Sequence, residues 1–169
     1  INDRIAHIVM SRPAKANSMT PEFWTDLPAI VRDIDRNARA RAIVISSTGR
    51  HFSSGMDLSV FGSSDTLNGG KADPHIRAEK FHHDLKLIQA SFNCLEEARI
   101  PVIAAIQGGC IGGAVDLVSA CDIRVATRDA FFCIQEINIG MTADVGTFPR
   151  LCRLLPEGWV RQLAYTGER

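Results

Sequence analysis

Asp116, Glu136 and Asp144 are set among glycines and apolar side chains within residues 100–150. Asp116 lies in Gly-Gly-Ala-Val-Asp-Leu-Val, Glu136 in Phe-Phe-Cys-Ile-Gln-Glu-Ile-Asn-Ile-Gly, and Asp144 in Met-Thr-Ala-Asp-Val-Gly. No basic side chain stands directly beside any of them. An unpaired carboxylate taken out of water carries a large desolvation penalty or takes up a proton. One such residue alone reads as a solvated surface acid. Three in one stretch, beside glycine-rich turns, point to general acid–base work on a bound substrate.

Two short segments carry a complementary signal. Ser53-Ser54-Gly55 follows an apolar run, and Gly112-Gly113 precedes a helical one. Small residues at both places let the main chain approach a ligand. Amides at a helix start have no intrahelical acceptor and sit at the positive end of the helix dipole. Two of them converging on one point would hold a developing oxyanion. Taken singly, each segment reads as an ordinary glycine turn.

The elements that must place these groups alternate along the chain. Residues 5–10 and 42–47 read as strands, the second continuously apolar and so expected in a sheet covered on both faces. Thr20-Pro21 reads as the cap and first position of a helix, with Phe23, Leu27, Ile30, Val31 and Ile34 at helical spacing through residue 36. Residues 59–75, rich in Gly, Ser and Asp, read as a mobile surface loop. A long helix is expected over 76–98, with Phe81, Leu85, Ile88, Phe92 and Leu95 on one face. Strands are expected at 101–106, 123–127 and 131–134, a helix at 113–120, and mainly helical structure from 145 to 169. Such alternation indicates an α/β fold whose sheet strands are joined by crossovers.

The 169 residues suit one domain, and 46% hydrophobic content is enough for a real core. Nineteen basic and nineteen acidic residues cancel, so charge offers no argument for nucleic acid or an acidic membrane. No apolar run approaches the roughly 20 residues that span a bilayer, and no stable membrane insertion is expected. Five cysteines without a CxxC pair, and histidines without zinc spacing, read as buried reduced thiols rather than a metal site.

The chain resembles the enoyl-CoA hydratase/isomerase (crotonase) family. The resemblance is carried by segments 12–19 (Arg-Pro-Ala-Lys-Ala-Asn-Ser-Met), 51–58 (His-Phe-Ser-Ser-Gly-Met-Asp-Leu), 107–113 (Gln-Gly-Gly-Cys-Ile-Gly-Gly) and 130–132 (Ala-Phe-Phe). Segments 108–124 and 143–147 (Ala-Asp-Val-Gly-Thr) are most similar to the family's Δ3,5-Δ2,4-dienoyl-CoA isomerase branch. The resemblance implies a spiral of β-β-α units over 1–169, cut short at both ends and lacking a C-terminal helical region. It implies an acyl-CoA substrate, with coenzyme A as part of that substrate and no separate cofactor. Ser54 and Gly113 would supply the oxyanion hole, and Ser54, Gly55, Met56, Asp57, Leu58, Gly113, Lys15 and Ala16 would bind substrate.

Hydratases of the family carry glutamates at the places of Asp116 and Glu136 and a glycine at the place of Asp144. In the isomerase branch the residues matching Glu136 and Asp144 form the catalytic pair, with Asp116 an auxiliary acid. The reaction implied shifts the double bonds of a 3,5-dienoyl-CoA during fatty-acid β-oxidation. Enoyl-CoA hydratase, Δ3-Δ2-enoyl-CoA isomerase and an inactive CoA-binding fragment stand as alternatives. A homotrimer or homohexamer, if C-terminal helices are present, and a mitochondrial or peroxisomal location complete what the resemblance implies.

Overall fold

The computed structural model describes residues 1–59 and 73–169. Strands β1 (Ile5–Met10), β2 (Ala42–Ser47), β3 (Val102–Ile106) and β5 (Ile123–Ala126) form one parallel sheet in the order β1-β2-β3-β5. The short strands β4 (Gly109–Ile111) and β6 (Phe131–Cys133) pair in parallel in a second sheet. Ser53 bridges to Cys110, so the segment before Gly55 joins this second layer too. β3 and β5 are thus each followed by a short strand of the second sheet, and β2 by the Ser53 bridge to it, with helices between successive turns. The β-β-α spiral is the observed architecture.

Helix α1 (Phe23–Arg36) packs against the long helix α2 (Pro74–Glu96); α3 (Gly113–Ser119) follows β4, and α4 (Thr147–Leu154) and α5 (Glu157–Thr166) close the chain. A short 3-10 helix at Pro13–Lys15 follows β1, and another at Glu136–Ile139 follows β6. Among the described residues no helix is long and apolar enough to cross a membrane.

Four details depart from the sequence reading. Helix α1 begins at Phe23 without a side-chain cap, because the Phe23 amide donates to the Thr20 carbonyl (3.0 Å) in a tighter turn that precedes the helix. Of the loop expected at 59–75, residues 60–72 lie outside those described. At its end Asp73 accepts from the His75 amide (2.8 Å) and Pro74 opens α2, as a capping acid and first-position proline should. Gly109–Ile111, given no element by the sequence, is a short strand. Among the described residues the large sheet, finally, buries one face more deeply than the other. Ile43, Ile45, Val102 and Ala104 are buried, whereas on the opposite face Val44 and Ile103 are half-buried and Ile5, Val9, Ile123 and Val125 of the outer strands are exposed.

The core meets the site region through aromatic rings. Phe92 of α2 is fully buried, with its ring centroid 5.7 Å from that of Trp24 and 6.4 Å from that of Phe23. Four of the five cysteines are buried free thiols, with Cys152 exposed. Phe92→Ala should leave a cavity between α1 and α2 and cost about 3–5 kcal/mol. In urea the midpoint should fall with an unchanged slope; a loss below about 1 kcal/mol would show that the cluster is not a principal support of the fold.

Candidate active site

The main chain around Gly55 and Gly113 comes closer together than any side chain would allow. Gly55 has φ +81°, and a methyl group there would lie 2.6 Å from the Ile111 carbonyl oxygen and 2.9 Å from the Gly113 nitrogen. Glycine is therefore required twice over at Gly55, by backbone conformation and by space. The outcome is a pair of free donors. Gly113 is the first residue of α3 and its amide has no acceptor among the described residues. The Met56 amide likewise has none, and a methyl group built on Gly113 would stand 3.8 Å from the Met56 nitrogen.

Ser54, expected as the partner of Gly113, is not available for that task. Its amide donates to the Ala16 carbonyl at 2.9 Å. The donor moves two residues along, because Met19 pairs with this segment by accepting from Asp57 and donating to Gly55, leaving the amide between them unpaired. Ser54 remains in the cavity wall, as do Lys15, Met56, Asp57, Leu58 and Gly113. Gly55 and Ala16 are not in that wall, and both act through the backbone they shape.

Loop 11–18 is held against this segment by Asn17, which sequence reasoning did not single out. Asn17 is buried, accepts from the Arg12 amide (2.8 Å), and donates to the carbonyls of Thr48 (2.7 Å) and His51 (2.9 Å). Its own carbonyl accepts from the Ser53 hydroxyl at 2.8 Å. The left-handed backbone at Asn17, φ +52°, is the signal that an asparagine suits this position. Asp57 is engaged nearby: hydrogen bonds from Ser59, then from Ser18 and Arg12, hold its carboxyl down at about 2.

The cavity beside the two amides measures about 460 Å³ and has both Glu136 and Asp144 in its wall. Glu136 opens the second 3-10 helix and its Oε1 lies 3.4 Å from where a methyl group on Gly112 would sit. Its Oε2 is buried with no partner among the described residues. Burial raises the pKa of Glu136, with the neighbouring Asp144 charge adding to the effect, and burial raises that of Asp144. Asp144 also borders a second cavity of about 590 Å³, lined largely by apolar groups of α1 and α2.

Asp116 is absent from the cavity wall. It is fully buried on α3, accepting from the Thr147 hydroxyl at 2.6 Å through Oδ1, while Oδ2 has no partner among the described residues. Of the three carboxylates, two face space that a ligand can occupy and one is sealed behind them.

The enoyl-CoA hydratase/isomerase family profile matches residues 1–169. The mitochondrial Δ3,5-Δ2,4-dienoyl-CoA isomerase of Homo sapiens is 41% identical over 167 residues, 98% of this chain and 50% of that protein. The peroxisomal enzyme of that name from Arabidopsis thaliana is 37% identical over 165 residues, 98% of this chain and 59% of that one. The chain therefore spans between half and three fifths of the length of these curated relatives. Among solved structures, a candidate enoyl-CoA hydratase from Thermobifida fusca in complex with acetoacetyl-CoA superposes with a TM-score of 0.86 at 30% identity, over 99% of this chain and 65% of that one.

Burial raises the Asp116 pKa from 3.8 to about 7, with Glu136 adding to the rise and the Thr147 hydroxyl opposing it. Below pH about 4 both folded and unfolded chains carry this proton, and the group costs nothing. Between about 4 and 7 the unfolded chain releases it while the native chain keeps it, so stability falls as pH rises. Above about 7 the loss levels off, at no more than about 4 kcal/mol. In Asp116→Asn this pH-dependent loss should vanish. Urea unfolding at pH 5 and pH 8 should show the wild type losing more stability than the variant; equal losses would mean that Asp116 is ionised at both.

Proposed function

We propose that this chain, which belongs to the enoyl-CoA hydratase/isomerase family, carries the acid–base site of a Δ3,5-Δ2,4-dienoyl-CoA isomerase acting in fatty-acid oxidation. The observation that supports this reading is the sorting of the carboxylates. Glu136 and Asp144 line the cavity, and Asp116 does not. Hydration would need two acids gathered around one water next to the thioester, and the residue at the first hydratase position is here closed in against Thr147.

In the proposed reaction the thioester oxygen accepts hydrogen bonds from the Met56 and Gly113 amides. Glu136, beside Gly112, removes a proton from C2. The electron pair moves through C3–C4 and C5–C6 while the oxyanion is held. Asp144, at the junction with the apolar cavity that the acyl tail would enter, returns a proton to C6. One C–H bond breaks and one forms, two double bonds move, and no electrons leave the substrate, so no redox partner is needed. Asp116 touches neither carbon. Its contribution is electrostatic, through the mutual unease of closely placed carboxyls.

Lys15 and residues 54–58 are proposed to hold the CoA moiety. A homotrimer or homohexamer, and a mitochondrial or peroxisomal setting like that in the relatives' names, belong to the same proposal.

With a 3,5-dienoyl-CoA, followed by the ultraviolet absorbance of the product, Glu136→Gln and Asp144→Asn should each lower kcat by roughly 10²–10⁴-fold while CoA esters still bind. Near wild-type turnover in either variant would remove that residue from the pair. Strong preference for hydrating crotonyl-CoA over isomerising the diene would favour the hydratase reading instead.

A further inference from the structure

Asp144 sits on a stretch of chain held by the burial of its neighbours Ala143 and Val145 but not by main-chain hydrogen bonds. Residues 142–145 lie between the second 3-10 helix and α4, and none of them makes a main-chain hydrogen bond to another main-chain group among the described residues. An acid that must meet one carbon of a bound substrate needs its geometry fixed to within a fraction of an ångström. The main-chain bonds missing here are supplied by two side chains. Gln89 of α2 donates from Nε2 to the Asp144 carbonyl at 2.7 Å, and Arg150 of α4 donates to the Val145 carbonyl at 3.3 Å.

Arg150 is itself anchored to the same helix. Its buried guanidinium donates to Asn93 Oδ1 (2.6 Å) and Glu96 Oε2 (2.8 Å). Gln89, Asn93 and Glu96 stand four and then three residues apart, which places them on one face of α2. All three border a cleft of about 450 Å³ shared with Asp144 and Arg150. Further along the helix, Leu85 and Ile88 line the apolar cavity that Asp144 also borders.

We propose that Gln89 is a positioning residue for Asp144: from α2 it pins the main chain of a segment that has no main-chain hydrogen bonds of its own, and so fixes the carboxyl at the junction of the two cavities. This rests on the reading of Asp144 as a proton-transfer group. Gln89 touches no substrate atom in that reading. Its effect should therefore fall on turnover and not on CoA binding, which is placed at Lys15 and residues 54–58.

Two variants and two measurements test this. Gln89→Met keeps the shape and removes the donor; Gln89→Lys restores an N–H at similar reach. In Gln89→Met, kcat with a 3,5-dienoyl-CoA should fall about ten- to a hundredfold, as for a misplaced acid, with KM within about twofold. Gln89→Lys should recover most of the loss. Independently of turnover, crystal structures of the wild type and of Gln89→Met should differ at the Asp144 main chain, displaced or poorly ordered in the variant, with 113–119 superposing. An unaltered kcat, an equal fall in both variants, a parallel rise in KM, or an unmoved and equally ordered Asp144 main chain would each overturn the proposal. A wild-type protein inactive on the diene would instead overturn the proposed reaction, and the structural comparison would still decide whether Gln89 holds the segment.

Discussion

At Gly55 two main-chain segments pass with no room for a β-carbon between them, and the candidate site is arranged around that contact. The second sheet brings the segments together: Ser53 bridges to Cys110, which pairs with Phe132. Asn17 and Ala16 then fix the near segment from behind, through the bonds to Ser53 and Ser54. What remains unbonded at the crossing is the Met56 amide and the first amide of α3. The amides of Gly55, Asp57 and Gly112 beside them are engaged, by the Ser53 hydroxyl and the Met19 and Cys133 carbonyls.

The carboxylates show how depth divides labour among similar groups. Glu136 and Asp144 face the cavity, and burial raises the pKa of both. Asp116 has one oxygen on Thr147 and the other unpaired, in a place that water and substrate do not share with it. Its burial destabilises the fold when it is charged, and the Glu136 charge pushes its pKa further up. Arg150, held by α2, keeps a positive charge within reach of this group, and the Coulombic effect on Asp116 is to lower its pKa. Stability and site chemistry are thus coupled through α4, which supplies both Thr147 and Arg150.

Much of this was legible in the residues. The β1 range follows from alternation, that of β2 from a short continuous apolar run and the extent of α1 from helical spacing. The three carboxylates stood out for the same reason, being polar where the surroundings are apolar. β4 was missed because a three-residue strand containing glycine has no period to detect. Ser54 was chosen over Met56 because side-chain size hints at where the backbone can approach a ligand. It does not say which amide is already bonded; that depends on Met19, distant in sequence, pairing alongside. The role of Asn17 was hidden likewise, since three of its partners lie on the far side of α1 and β2 in the chain. The uneven burial of the large sheet's two faces was misjudged because a continuous apolar run reads the same whether one face or both are covered.

A donor made of peptide nitrogen has no side-chain identity. Swapping the thioether at Met56 for another side chain leaves the N–H where it was. A saturation scan would thus report only on the Met56 side chain in the cavity wall, never on the amide proposed to grip the oxyanion, and would record intolerance at its silent neighbour, Gly55. Ranking positions by mutational sensitivity would then credit the hinge and overlook the hand. Only an amide-to-ester replacement in the backbone itself, which deletes that single hydrogen, would reveal where the grip resides.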